Sequence, residues 1–251
     1  MNYAEKDIIS QGVPRGGIYG VSEDQEFALG VKFIPQDGSG RVFRYTKNGS
    51  TALTKGKMTQ ASAPVSDHVN IAIGTKASAG EYELSISTTL STAVTENQYK
   101  DGYLLVNDGS AEGYSARIKS NTAGTTPKIV LHEDLIEDVE ATDEVSLIAH
   151  ARNAVIVVPS SASADNPSSV VTGIPLNDVP ADYYFWAQVK GEAPVLIASG
   201  GTVVVGKDAG FPTSLSVATT GACDGTTTLP WGKTRALLSA ANFTLLDLDL
   251  D

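Results

Sequence analysis

The chain has 251 residues, 41% of them hydrophobic and 19% charged, with 29 acids against 18 Lys and Arg for a formal net charge of -11. That length can bury a sizeable core, and the composition excludes wholesale disorder. The acidic balance argues against general nucleic-acid binding, which needs clustered cations to replace phosphate counterions. No apolar run reaches the roughly 18 residues of a membrane-spanning helix. The opening MNYAEKDIIS mixes acids into what a signal peptide would keep apolar, so folding in a cytoplasm is expected. Cys223 is the single cysteine, which leaves no internal disulfide. Its GACDG setting predicts an ordinary structural residue rather than a nucleophile.

In chain order, residues 1–40 are turn-rich, with VPRGGIYG and IPQDGSG, and predict an extended N-terminal arm or flap ahead of a β-rich core domain over 41–251. Next comes GRVFRYTKNGSTALTKGKM, which carries Arg41, Arg44, Lys47, Lys55 and Lys57 and no acid. Asn48-Gly49 predicts a two-residue type I′ hairpin, because both central positions of that turn need positive φ. Such a hairpin would set Tyr45 opposite Ala52 and Phe43 opposite Thr54. Alternation puts Arg41, Phe43, Tyr45 and Lys47 on one face, with Val42 and Arg44 on the other.

DGYLLVNDGSAEGYSARIKSN predicts a second hairpin. Leu104, Val106, Ala116 and Ile118 point inward, Ser115, Arg117 and Lys119 point out, and Asp108, Gly109 and Gly113 shape the bend. KIVLHE and EVSLIAHARNAVIVVP continue the sheet around EDLIEDVEATDE, a short helix or solvated loop. VPSSASADNPSSVVTGIPLNDVPADY reads as a long loop or crossing. A meander of YYFWAQVK, PVLIA and TVVVG follows. In the tail LLDLDLD, Leu246, Leu248 and Leu250 alternate with Asp247, Asp249 and Asp251, which predicts a half-buried strand near a sheet edge. The whole reads as all-β: an antiparallel barrel or sandwich with long loops.

No motif supplies chemistry. Phosphate loop, dinucleotide fingerprint and nucleophile elbow are all missing. His68, His132 and His150 do not pair at metal-ligand spacing. His132, beside Glu133 and Asp134, reads as a sheet-edge histidine. Glu133, Asp134, Glu137, Asp138, Glu140, Asp143 and Glu144 lack the calcium-loop pattern and read as a solvated face. Neither catalytic residue, metal nor cofactor is expected. The run YYFWAQ places Tyr183 and Phe185 on one side and Tyr184 and Trp186 on the other. It is read as core on one face and subunit interface on the other, where Tyr and Trp are enriched.

Three segments, GRVFRYTKNGSTALTKGKMTQA, NQYKDGYLLVNDGSAEGYSARIKSN and VPADYYFWAQVKGEAPVLIASGGTVVVGKDAG, together resemble the small β-rich capsid decoration, or cement, proteins of tailed bacteriophages. The resemblance runs from Gly40 to Gly210; the first 40 residues and the tail after TTLPWGK lie outside it. It implies a structural protein without enzymatic activity, made in the host bacterial cytoplasm and bound to the outer capsid surface of the virion. Its partners would be the major capsid protein and further copies of itself, as a homotrimer over local threefold positions that bridges capsomers. It implies neither nucleic acid nor membrane as partner. Arg41, Arg44, Lys47, Tyr184 and Trp186 are the expected partner-interface residues. The alternative is a phage adhesion or carbohydrate-binding module of a fibre or tail, which would need Trp186 or Trp231 open in a cleft. A hydrolase would need two close acids in a deep pocket.

Overall fold

A computed structural model describes residues 16–158, 169–197, 203–210, 230–235 and 242–250. Strand makes up 42% and helix 3% of the described residues, so the all-β expectation holds. Among the described residues the helical content is two three-residue 3-10 turns, Gly17–Tyr19 and Ser66–His68. In chain order the strands are β1 (Val21–Ser22), β2 (Lys32–Phe33), β3 (Val42–Lys47), β4 (Thr59–Gln60), β5 (Ile71–Ala72), β6 (Glu83–Ser85), β7 (Tyr103–Asp108) and β8 (Ser115–Asn121). They continue as β9 (Lys128–Leu131), β10 (Glu144–Ile148), β11 (Ile156–Val157), β12 (Val171–Pro175), β13 (Tyr184–Leu196), β14 (Asp208–Gly210), β15 (Pro230–Thr234) and β16 (Phe243–Asp249).

The segment expected as one core domain divides into two compact units. One comprises residues 63–150; the other is built from 1–62 and 151–251, on either side of it. Each is an antiparallel sheet curled into a half-barrel.

In the 63–150 unit the strand order is β5-β10-β7-β8-β9-β6. The second predicted hairpin forms, with Leu104 opposite Ala116 and Tyr103 opposite Arg117. Leu104, Val106, Ala116 and Ile118 enter a core completed mainly by Ile, Leu and Val, among them Ile73, Leu84, Ile129 and Val145. The acidic stretch 133–144 forms no helix. Up to Glu144, which opens β10, it is a loop pinned by Leu135 and Val139, both buried, and by backbone exchange between Ala77 and Val139 (2.9 and 2.8 Å). Asp143 departs from the predicted solvated face. It is buried and accepts from the Ser110 hydroxyl (2.8 Å) and the backbone N–H of Glu140 (3.0 Å) and Ser110 (3.2 Å).

In the other unit the ladder runs β11-β4-β12-β13-β16-β15-β14, with β3 and β1 also on β13 and β2 on β3. β13 is its spine: residues Tyr184–Leu196 form one strand where a meander with a Gly turn was expected. The chain passes Gly191 at φ +81°, just after a bulge between Gln188 and Lys190. A Cβ there would lie 3.1 Å from Arg41 Cα, so the positive φ and the close approach of the chain just before β3 require glycine. Residues 203–206 form no strand. Val171–Pro175, read as part of a long loop, is β12. The Leu/Asp alternation of β16 is as predicted, with Leu246 and Leu248 buried and Asp247 and Asp249 exposed. The strand lies between β13 and β15, however, and is no edge.

The Asn48-Gly49 hairpin does not form. β3 pairs instead with β13 and β2, and neither Asn48 nor Gly49 has positive φ. The Asn48 side-chain amide is buried and donates to Thr51 O (2.9 Å) and Pro180 O (2.8 Å). Gly49 N–H donates to Val155 O (2.9 Å), and a Cβ on Gly49 would sit 3.1 Å from that oxygen. The pair serves a buried crossing, not a turn. The described part of the expected arm, 16–40, is tied down as well: β1 and β2 join the sheet, and Leu29 and Phe33 are buried.

Candidate functional site

All five residues expected at a partner interface lie on or beside the β3–β13 pair. The register sets Tyr184 opposite Lys47, Trp186 opposite Tyr45 and Ala187 opposite Arg44. Period-two alternation then puts Lys47, Tyr45, Tyr184 and Trp186 on one face and Arg44 on the other. Tyr45 and Tyr184 stack at 5.7 Å between centroids and 8° between planes. Lys47 Nζ lies 5.6 Å from the Tyr184 ring centroid, close enough for a cation–π contact. Trp186 packs on Tyr45 (5.1 Å), Phe27 (5.4 Å) and Phe33 (5.5 Å).

Trp186 is only 4% exposed, so the predicted interface side is a second core face. The opposite face carries Phe185 and Tyr183 into a separate cluster with Leu53, Val155 and Val179. Tyr184 stays half-buried at the rim. Beside it a hollow of about 230 Å³ is lined by Gly16, Gly20, Ser22, Glu26, Tyr45 and Tyr184, among others. The Tyr45 hydroxyl accepts from Glu26 N–H at 3.0 Å, and burial pushes its pKa up to about 12. The phenol is therefore neutral and structural at ordinary pH.

Besides Lys47 over the Tyr184 ring, two of the five cations are engaged locally. Arg41 Nη2 meets Asp37 Oδ2 at 2.9 Å, its Nε donates to Ser39 Oγ (3.1 Å), and its guanidinium lies 5.8 Å from the Phe43 ring. The Ser39 hydroxyl and amide, then Arg41, hold the Asp37 carboxyl down at about 2. Arg44 Nη1 donates to Gly30 O (3.1 Å). Lys47, Lys55 and Lys57 have no carboxylate partner among the described residues. Sequence reasoning missed Asp37, Phe27 and Phe33. The alternation of Val31 and Phe33 around Lys32 was the available signal, hidden by the neighbouring Gly and Pro.

Elsewhere, His68 is buried, with Nδ1 against Tyr99 OH and Nε2 against Thr92 O (2.9 Å), as part of the core. His132 Nε2 stands 3.8 Å from Asp101 Oδ1. Burial first, then the Arg117 charge, lowers the His132 pKa. It stands exposed just past the end of β9, before the acidic loop. Among the described residues no group of three His, Cys, Asp or Glu side chains could hold a metal, and no helix is long and apolar enough to cross a membrane. Cys223 lies outside the described residues. No protein-family model, curated protein or solved structure matches the chain.

Proposed function

We propose that this is a structural protein of a phage virion, without enzymatic activity, which binds the outer surface of the capsid as a homo-oligomer, a trimer in the favoured arrangement, and bridges capsomers. The carrying observation is the segregation of charge on a strongly acidic protein. Lys55 is exposed and Lys47 and Lys57 are half-buried on the unit that holds β3, while Glu133, Asp134 and Glu137 are exposed on the other. Cations set against an acidic shell would fix orientation and raise the on-rate. Weak contacts repeated in an oligomer hold firmly through effective concentration. The resemblance to decoration proteins supports the same reading. The adhesion alternative asked for an open Trp platform, and Trp186 (4%) and Trp231 (1%) are both buried.

The test is occupancy of purified capsids, read by gel densitometry, for wild type and a Lys55→Glu, Lys57→Glu variant. Arg41, Arg44 and Lys47 are left alone because their local contacts would confound the result. Raising ionic strength from about 0.05 M to 0.5 M should strip wild type, because screening lengths fall to a few ångströms. The variant should not bind at either salt. Equal occupancy of both proteins at every salt concentration would sink the proposal.

A further inference from the structure

The six-stranded ladder of the 63–150 unit ends on β5 at one side and β6 at the other. The chain beyond each edge meets where Ser87 N–H (2.8 Å) and the Ser87 hydroxyl (3.1 Å) both donate to Ile73 O and Thr75 Oγ1 donates to Ser87 Oγ (3.0 Å), and again at the Ser78–Glu81 turn, where Glu81 N–H donates to Ser78 O (3.0 Å). Between these points the two walls part. Gly74 N–H turns to Ala141 O (2.9 Å) and Ala77 pairs with Val139, whereas β6 stays on β9. The seam between them is a groove of about 490 Å³, with Thr75–Ala77 on one wall and Glu81–Ser85 on the other.

The β6 wall is an open strand edge. Leu131 N–H donates to Tyr82 O (2.8 Å) and Ile86 N–H to Pro127 O (3.0 Å). In an antiparallel ladder this turns the backbone groups of Tyr82, Leu84 and Ile86 toward β9 and those of Glu83 and Ser85 toward the groove. The groove-facing N–H and C=O of Glu83 and Ser85 find no partner among the described residues. Leu84 is buried beneath them, and Tyr82, 61% exposed, stands at the mouth. Around the seam the carboxylates of Glu81, Glu83, Asp138 and Glu140 outnumber the two ammonium groups, Lys76 and Lys128. Lys76 is already bound to Asp138 (2.7 Å) and Glu140 (2.6 Å), and Lys128 to Glu83 (2.8 Å).

We infer that this seam is a docking site for one extended, cationic segment of a partner protein, which adds a strand to β6. Main-chain bonds to Glu83 and Ser85 supply affinity, and alternate side chains supply selectivity. An apolar residue would stand beside Leu84 toward the core, and Lys or Arg beside Glu83 outside. Strands pair at about 4.8 Å, so a walled groove suits a single strand better than the edge of a second copy's sheet. The inference does not depend on the virion reading.

The test uses the full isotope-labelled chain and a short synthetic peptide alternating Lys and Val. Saturable binding should slow amide exchange at Glu83 and Ser85 about tenfold or more, since each gains a hydrogen bond. A Glu/Val peptide of the same length should not bind. N-methylation of alternate residues of the Lys/Val peptide should weaken binding about tenfold. Ser85→Pro removes one groove-facing N–H while sparing the bonds of Leu84 and Ile86 to β9, and should weaken binding similarly. If that variant unfolds, the N-methylated peptide decides. No saturable binding, protection that maps away from β6, equal binding of the Glu/Val peptide, or indifference to N-methylation would overturn the inference.

Discussion

The two units reach the same architecture with different side chains. The 63–150 unit fills its half-barrel with Ile, Leu and Val and buries only the ring pair Tyr99 and His68 among them. The β3–β13 region of the other unit is held by Phe27, Phe33, Phe43, Tyr45, Tyr184 and Trp186. The difference follows from where the strands come from. A continuous stretch forms hairpins such as β7–β8 from neighbours in sequence, and branched aliphatics suffice to fill a curved sheet. The spine β13 must gather β1, β3, β12 and β16 from both ends of the chain. A few large rings, each covering a wide area, join such distant segments with few residues.

The largest expected effect tests that contrast. Trp186→Ala removes a ring packed on three aromatics and should cost about 3–5 kcal/mol, whereas Ile118→Val in the aliphatic core should cost about 0.5–1.5 kcal/mol. Both tryptophans lie in the β13 unit, so Trp231 fluorescence in urea reports that unit in the Trp186 variant. A Trp186→Ala cost below about 1 kcal/mol, too small for a buried ring, would show that the aromatic cluster does not hold the unit together.

A smaller effect separates the units by pH. Burial opposes ionisation of Asp143, but hydrogen bonds from the Ser110 hydroxyl and the amides of Glu140, Ser110 and Ala111 outweigh it, and its pKa is lowered. A carboxyl depressed on folding stabilises above its ordinary value of about 3.9, and that contribution is lost as pH falls through the folded value. Asp143→Asn should therefore lower the melting temperature of the 63–150 unit at pH 7. It should also flatten the acid limb that wild type shows below about pH 4. Circular dichroism should register the change and tryptophan fluorescence should not. A matching shift in fluorescence would mean that the two units unfold as one.

The smallest effect concerns the rim of the aromatic cluster. Lys47→Met keeps the apolar stem but removes the charge over Tyr184, and should cost about 0.5–1 kcal/mol in urea unfolding. A loss as large as that of Trp186→Ala would place Lys47 in the core rather than at its edge.

The sequence by itself determined strand class, the β7–β8 hairpin with its inward Leu104, Val106, Ala116 and Ile118, the two faces of Tyr183–Trp186, and the Leu/Asp alternation of β16. These follow from the two-residue period of a strand and from short-range turn chemistry, which act within a few residues. The candidate cations and aromatics were equally legible as residue types. Only the tertiary structure decided their partners. Asn48-Gly49 carries a strong hairpin signal, yet β3 turns to β13 far along the chain, where Tyr45 and Phe43 are buried in one cluster with Trp186 and Phe33. Arg41 and Arg44 are taken up by Asp37 and Gly30, Asp143 is drawn inward by Ser110, and β16 leaves the edge for the interior. Each outcome depends on contacts between distant segments, and local pattern carries no information about which distant edge a strand will meet.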